Sequence, residues 1–279
     1  MGNMCFEVTE SDSIAHIVLN RPDELNSMIP EFWSELPQLV DEISNRGAAR
    51  AIVISSTGKH FTAGMDLSVF TGGALDDDGD VEVGRALSVF RYNVLHLQET
   101  FNALERARMP VLVATQGGVV GAGVDMITAC DMRYATEDSW FCIHEINIGM
   151  TADVGTLQRL PKIIPEGIAR EMAFTGDRMP AARAKEVGLV NEVYADQETM
   201  VNAVMDIAAR IASKSPLAIH GTKETINYTR DHTVAHSLHY IATWQTGMFQ
   251  PADMMESFGA KAEGRDAVFD DLPEIHTGL

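Results

Sequence analysis

The feature that most constrains the fold of this 279-residue chain is a repeated alternation of short apolar runs with helical segments. The apolar runs have the length of buried strands, and the segments between them show helical spacing of their large apolar residues. The predicted strands are 14–19, 51–56, 111–115 and 132–135, and the predicted helices are 30–44, 85–106 and 121–130. Such alternation indicates a layered α/β domain.

The pattern changes near residue 197, after which the long segments read as helices. They are 200–214, 216–228, 234–249 and 253–262. We therefore divide the chain into an α/β core, residues 1–197, and a helical C-terminal region, residues 198–279. Methionine, isoleucine and aromatic residues recur in these helices, and we expect this region to associate with further subunits. Packing only against its own core is the alternative.

The charge balance excludes several classes of partner. The chain has 21 basic and 40 acidic residues, a formal net charge of −19, which repels phosphate backbones and anionic lipid. No apolar run approaches the roughly 18 residues of a membrane span, and the N-terminus lacks the pattern of a signal peptide. Cys5, Cys130 and Cys142 show no CxxC spacing. We expect a protein of the cytoplasm that binds neither nucleic acid nor membrane.

Three carboxylates mark the stretch where chemistry is expected. Asp125, Glu145 and Asp153 each lie among apolar or small residues, where an ionised acid is unfavourable unless it is paired or functional. Acids in such surroundings have shifted pKa values, which general acid–base catalysis requires. Each of them could instead be a structural carboxylate that caps a turn, and Asp153 could cap a helix over residues 154–159.

Metal and nucleotide chemistry find little support in the sequence. Residues 76–87 begin like a calcium loop, but Val81 stands where glycine is needed and Leu87 where the last acidic ligand is needed. His60 and His144 have no partner at zinc-binding spacing. The phosphate-binding loop and the GxSxG nucleophile pattern are also missing. We expect no metal ion and no separate cofactor.

Two glycine-containing turns each follow a predicted strand. The first is residues 59–67, and the second, residues 117–123, opens a helix. Small residues allow a ligand to approach the backbone, and free N–H groups at a helix start attract negative charge. Two such donors that point at one oxygen form an oxyanion hole.

These two turns, together with residues 21–26, 129–133 and 158–161, resemble the crotonase (enoyl-CoA hydratase/isomerase) family. The resemblance extends from about residue 6 to about residue 260. It implies a spiral of repeated ββα units, followed by a helical C-terminal region that forms trimers or dimers of trimers. It also implies an acyl-CoA thioester as substrate, with coenzyme A present only as part of that substrate.

The resemblance assigns roles to individual residues. The backbone N–H groups of Met65 and Ala122 match the two oxyanion donors of the family. The residues expected to contact the substrate or its CoA portion are Arg21, Ala63, Gly64, Asp66 and Gly121. Asp125 and Glu145 match the positions of the two catalytic glutamates of hydratases, and Asp153 is an additional acid.

Residues 152–158 are most similar to the dienoyl-CoA isomerase branch of the family. That branch converts 3,5-dienoyl-CoA to 2,4-dienoyl-CoA in fatty-acid β-oxidation, through an enolate held in the oxyanion hole. We assign the C2 proton to Glu145, the C6 proton to Asp153 and an electrostatic and orienting role to Asp125. His144 is left out, because an extended segment would turn it away from Glu145. The alternatives are an enoyl-CoA hydratase and a non-catalytic scaffold that binds CoA thioesters.

Overall fold

The computed structural model of the chain describes residues 4–66, 69, 82–249 and 251–276. Residues 76–81 of the rejected calcium loop lie outside these described residues. The strands are β1 (Phe6–Ser11), β2 (Ile14–Leu19), β3 (Ala51–Ser56), β4 (Val111–Thr115), β5 (Gly118–Val120), β6 (Met132–Thr136), β7 (Trp140–Cys142), β8 (Met179–Pro180) and β9 (Glu192–Tyr194).

These strands form two sheets. The larger sheet has the order β1-β2-β3-β4-β6-β9, with β1 antiparallel to β2 and the other neighbours parallel. The smaller sheet has the order β5-β7-β8, in which β5 and β7 are parallel. Strand β5 follows β4 after two residues, so the chain passes from one sheet to the other beside the second glycine turn.

The helices of the described residues cover the sheets and form the C-terminal region. They are α1 (Pro30–Arg46), α2 (Val83–Arg106), α3 (Ala122–Ala129), α4 (Thr156–Arg159), α5 (Glu166–Thr175), α6 (Ala181–Val187), α7 (Gln197–Ala212), α8 (Pro216–Asp231), α9 (Val234–Met248) and α10 (Pro251–Glu263). Short 3-10 helices occur at Pro22–Glu24, Glu145–Ile148 and Leu160–Lys162.

The central strands are buried on both faces, as expected for a parallel sheet covered by helices. On one face Val53 and its neighbours pack against Met200 and Val204 of α7. On the other face Ile52 and Ile54 belong to the main core, which includes α1, α2 and α3 side chains. This alternation along β3 explains why its six residues are all buried and apolar or small.

The fold class expected from the sequence is confirmed, including the helical C-terminal segments. The helices there begin and end within about three residues of their predicted bounds. The sequence pattern missed β1 and the short strands β5, β7, β8 and β9. The division at residue 197 remains a prediction. Among the described residues, no helix combines the length and the hydropathy that crossing a membrane requires.

Candidate active site

A cavity of about 800 Å³ lies where the two glycine turns meet. Both turns contribute to its wall through Ala63, Gly64, Met65, Gly121 and Ala122, among other residues. Apolar side chains from α1 and α2 line another part, and the 3-10 helix at 145–148 and the loop before α4 complete it. The wall contains three carboxylates in the described part of the chain, namely Asp66, Glu145 and Asp153.

The first turn is held by a residue that the sequence reasoning did not single out. Asn26 is 3% exposed and has a positive φ of 52°. Its side-chain amide donates to Thr57 O at 2.8 Å and to His60 O at 3.1 Å. Met28 N donates to Gly64 O at 2.8 Å, so the segment that follows β2 supports this turn along its length. In the sequence, Asn26 could have been identified through the resemblance of residues 21–26 to the family.

The second turn lies in direct contact with the first. A Cβ on Gly64, which has a φ of +87°, would lie 2.6 Å from Val120 O and 3.6 Å from Ala122 N. Gly121 has a φ of +53° and donates to Cys142 O at 2.9 Å. Both glycines have backbone angles that side chains disfavour. Among the described residues, Met65 N and Ala122 N donate to no backbone acceptor, so both are available to a bound oxygen atom.

Glu145 reaches the cavity beside this second turn. Its Oε1 lies 3.1 Å from the point where a Cβ on Gly121 would stand. Its Oε2 is buried without a hydrogen-bond partner in the described structure. Burial, reinforced by the nearby charge of Asp125, raises the pKa of Glu145 to about 7. A carboxyl group with this pKa can both accept and release a proton near neutral pH.

The segment around Glu145 differs from the predicted extended conformation. Residues 145–148 form a 3-10 helix, and His144 has helical backbone angles of −84° and −18°. His144 therefore lines the same cavity as Glu145, and the expectation that it turns away was wrong. Its Nδ1 lies 3.3 Å from the side-chain nitrogen of Asn147.

Asp153 lies half-buried in the cavity wall, on the loop that precedes α4. Burial raises the pKa of its carboxyl group. Helix α4 begins at Thr156 after Gly155 and has no side-chain cap from this residue, so Asp153 does not act as the helix cap that the sequence allowed. Its backbone carbonyl accepts a hydrogen bond of 2.7 Å from Gln98 Nε2 on α2.

Asp125 occupies a different environment from the other two acids. It is 0% exposed in the middle of α3 and is not part of the cavity wall. Its Oδ1 accepts a hydrogen bond of 2.5 Å from Thr156 N, the first residue of α4. Its Oδ2 has no hydrogen-bond partner in the described structure. Burial raises its pKa to about 6, with a further contribution from the charge of Asp153.

The other predicted contact residues divide into two groups. Ala63, Gly64, Asp66 and Gly121 line the cavity. Arg21 is not in its wall, and its NH1 donates to Ser27 O at 2.8 Å. In the part of the chain that the structure covers, no group of three His, Cys, Asp or Glu side chains could hold a metal ion.

Comparison with known proteins agrees with this geometry. The family model described as enoyl-CoA hydratase/isomerase matches residues 9–272. The chain therefore belongs to the enoyl-CoA hydratase/isomerase family, whose members act on acyl-CoA thioesters, and the resemblance read from the sequence is confirmed. An enoyl-CoA hydratase from Bacillus anthracis has a similar structure, with a TM-score of 0.83, 27% identity and coverage of 95% of this chain and 99% of that one.

The curated relatives of this chain include several isomerases by name. The mitochondrial Δ(3,5)-Δ(2,4)-dienoyl-CoA isomerase of Homo sapiens is 44% identical over 254 residues, which is 91% of this chain and 77% of that protein. The peroxisomal enzyme of the same name from Arabidopsis thaliana is 36% identical, over 92% of each chain. These organelle locations contradict the expected cytoplasmic location, which was wrong.

Proposed function

We propose that this protein converts 3,5-dienoyl-CoA to 2,4-dienoyl-CoA, acting on unsaturated acyl chains in fatty-acid β-oxidation. The observation that carries the proposal is the position of the acids. Glu145 and Asp153 both line the cavity that Met65 and Ala122 also line, whereas Asp125 is buried outside it. The names of the similar curated isomerases support the same substrate class.

The reaction begins at the thioester carbonyl. Its oxygen accepts hydrogen bonds from Met65 N and Ala122 N, which acidifies the hydrogens on C2. Glu145 removes one of them, and the electron pair moves onto the carbonyl oxygen as an enolate conjugated through to C6. A preorganised donor of this type stabilises the charge that develops on the oxygen by about 3 kcal/mol.

A proton then returns at the far end of the conjugated chain. Asp153 donates its proton to C6, the enolate electrons return, and the double bonds now lie at C2 and C4. Glu145 is left protonated and Asp153 ionised, and exchange with water restores both. The raised pKa values suit this cycle, because burial keeps a proton on Asp153 more readily than on an exposed aspartate.

The hydratase alternative requires two carboxylates that act on one water molecule. The second carboxylate in that reaction would be Asp125, whose Oδ1 accepts the hydrogen bond from Thr156 N. Because Asp125 is fully buried and outside the cavity wall, it is poorly placed to activate water there. Asp153 would also have no function in hydration. The geometry therefore favours the isomerase over the hydratase.

We also propose that the protein assembles as a trimer or a dimer of trimers. Large apolar side chains are exposed on the C-terminal helices of the isolated chain, including Leu238 at 64%, Met255 at 61% and Phe258 at 61%. Such a surface is typical of a face that packs against another subunit. The measured mass in solution tests this, and a monomer at micromolar concentration would contradict it.

The activity is tested with 3,5-octadienoyl-CoA and crotonyl-CoA in parallel ultraviolet assays. We expect the wild type to produce a conjugated 2,4-dienoyl absorbance. We expect Asp153→Asn and Glu145→Gln to lower the rate of 2,4-dienoyl formation by at least about 100-fold, as is usual for an acid–base residue. Asp41→Asn on the surface of α1 is the control and should retain it. Hydration of crotonyl-CoA that survives in Asp153→Asn, with no dienoyl signal from the wild type, would refute the proposal.

A further inference from the structure

Three polar side chains on one face of α2 contact the segment 153–159, which carries Asp153 and α4. They are Gln98, Asn102 and Glu105, spaced four and three residues apart, and we call them the α2 brace. We propose that the α2 brace positions Asp153 for proton transfer at C6, independently of Glu145. This inference rests on the proposed isomerase function and extends it to residues that lie outside the cavity wall.

The first contact of the α2 brace is to Asp153 itself. Gln98 Nε2 donates to the backbone carbonyl of Asp153 at 2.7 Å. Gln98 is half-buried and is not among the residues that line the cavity. The hydrogen bond therefore acts on the position of the acid and not on the substrate.

The second contact passes through Arg159 at the end of α4. Arg159 is 9% exposed. Its Nε and NH2 donate to Glu105 Oε2 at 3.1 and 3.0 Å, and NH2 also donates to Asn102 Oδ1 at 2.6 Å. A guanidinium held by two acceptors in a largely buried site has a fixed geometry. Arg159 is thereby held against α2.

Arg159 in turn fixes the backbone just after Asp153. A Cβ on Gly155, which has a φ of +137°, would lie 1.9 Å from Arg159 NH1. The guanidinium thus packs directly against this glycine, in the space that a side chain would fill. The next residue, Thr156, donates its N–H to Asp125. The loop is consequently held at Asp153, at Gly155 and at Thr156.

Glu145 is supported by different contacts. Met150 N donates to Glu145 O at 2.9 Å, and Asn147 Nδ2 donates to Gly176 O at 3.0 Å beyond α5. Gly121 N donates to the carbonyl of Cys142 at the end of β7. These contacts come from Met150 and from residues at the ends of β5, β7 and α5, whereas the α2 brace supports the other acid. A change on α2 should therefore affect the C6 step more than the C2 step.

The effect of the α2 brace on proton transfer can be measured as the ratio in which the enolate forms product or returns to substrate. An enolate formed by Glu145 either takes a proton at C6 and becomes product, or takes one back at C2 and returns to substrate. A deuteron that Glu145 has removed from C2 is lost from the substrate when it exchanges with water on the carboxyl group before this return. Loss of the α2 brace should slow the C6 step by about 10-fold or more, since small displacements of a catalytic group have effects of this size. Return to substrate then increases relative to product formation.

The experiment uses 3,5-octadienoyl-CoA deuterated at C2. Loss of deuterium from recovered substrate and formation of 2,4-dienoyl product are measured together for Gln98→Leu, Glu105→Gln and the wild type. Arg106→Gln is the matched control, because it lies next to Glu105 on α2 but pairs with Asp41 and Glu99 at the surface. Gln98→Leu removes no charge, so it remains informative if Glu105→Gln fails to fold.

We expect both brace variants to show a ratio of deuterium loss to product formation at least about 5-fold above wild type, with Arg106→Gln unchanged. An unchanged ratio in Gln98→Leu, or equal falls in both rates, would overturn the inference and leave Gln98 a structural residue. A wild type that forms no 2,4-dienoyl product would instead refute the proposed function, so the two failures are distinct.

Discussion

The most informative single substitution is Asp125→Asn. Asp125 is completely buried in α3, and only one of its carboxyl oxygens has a hydrogen-bond partner in the described structure. Asparagine has nearly the same shape, and its carbonyl oxygen can accept the same hydrogen bond from Thr156 N. The substitution therefore removes the charge and places an NH2 group in the position of the unpartnered Oδ2. We expect it to stabilise the protein and to impair the reaction.

The magnitude of the stabilisation follows from the pKa of Asp125. Burial raises it from the ordinary value of 3.8 to about 6. When folding raises the pKa of an acid, the folded protein is most stable at pH values below the ordinary pKa of that acid. This stability is lost as the pH rises through the pKa of the folded state. At about 1.4 kcal/mol per pKa unit, ionised Asp125 destabilises the fold by about 3 kcal/mol at pH 8. The corresponding effect at pH 5 is roughly half of that.

The free energy of unfolding is measured with urea at pH 5 and pH 8, at one fixed protein concentration. We expect Asp125→Asn to exceed wild type by about 3 kcal/mol at pH 8 and by about 1.5 kcal/mol at pH 5. Asp196→Asn is the control. Asp196 caps α7 at the surface through Thr199 N, and asparagine is as good a cap. It should show no gain at pH 8.

Two results would refute this reasoning. If Asp125→Asn is no more stable than wild type at pH 8, the carboxylate is not destabilising and its environment has been misread. If the gain is the same at both pH values, it arises from packing and not from ionisation. Either result would also weaken the assignment of Glu145 as a base with a raised pKa, because the charge of Asp125 contributes to that shift.

Two further predictions concern the same cavity. Because burial raises the pKa of Glu145 to about 7, kcat/KM should fall about 10-fold for each pH unit below about pH 7. Asp125→Asn should shift this acidic fall of the pH–rate profile to lower pH, because the charge of Asp125 contributes to the raised pKa. A pH–rate profile that is flat from pH 5.5 to 8 would contradict the prediction. Gly121→Ala should lower kcat by about 10- to 100-fold with unchanged circular dichroism. The new Cβ would stand 3.1 Å from Glu145 Oε1 at a φ of +53°, and full activity in that variant would contradict the geometry.

The main elements of the fold could be predicted because their residues follow a clear period. Helix α1 buries Phe32, Trp33, Leu36, Val40 and Ile43, which recur at helical spacing, and β3 is a continuous buried run. The short strands that were missed carry no such signal. Strands β5 and β7 have three residues each and β8 has two, too few to show alternation, and they form through pairing with one another.

The site was predictable only as far as residue type and family resemblance reach. The sequence identified Asp125, Glu145 and Asp153 as acids in apolar surroundings, but it could not show that Asp125 lies outside the cavity wall. Nor could it show the support given by Asn26, Gln98 and Arg159. These depend on hydrogen bonds such as those of Gln98 and Asn26, which join residues 55 and 34 positions apart in the chain. No local pattern encodes such contacts.

Asp125 lies in α3, whose eight residues are all buried, and the charge there destabilises the fold at neutral pH. The hydrogen bond to Thr156 N does not require a charge, since an asparagine oxygen would serve. The negative charge of ionised Asp125 raises the pKa of Glu145. A base whose pKa is near 7 is stronger than an ordinary glutamate and matches the weak acidity of the C2 hydrogen better. We therefore expect Asp125 to strengthen Glu145 as a base, at a cost to stability that Asp125→Asn measures directly.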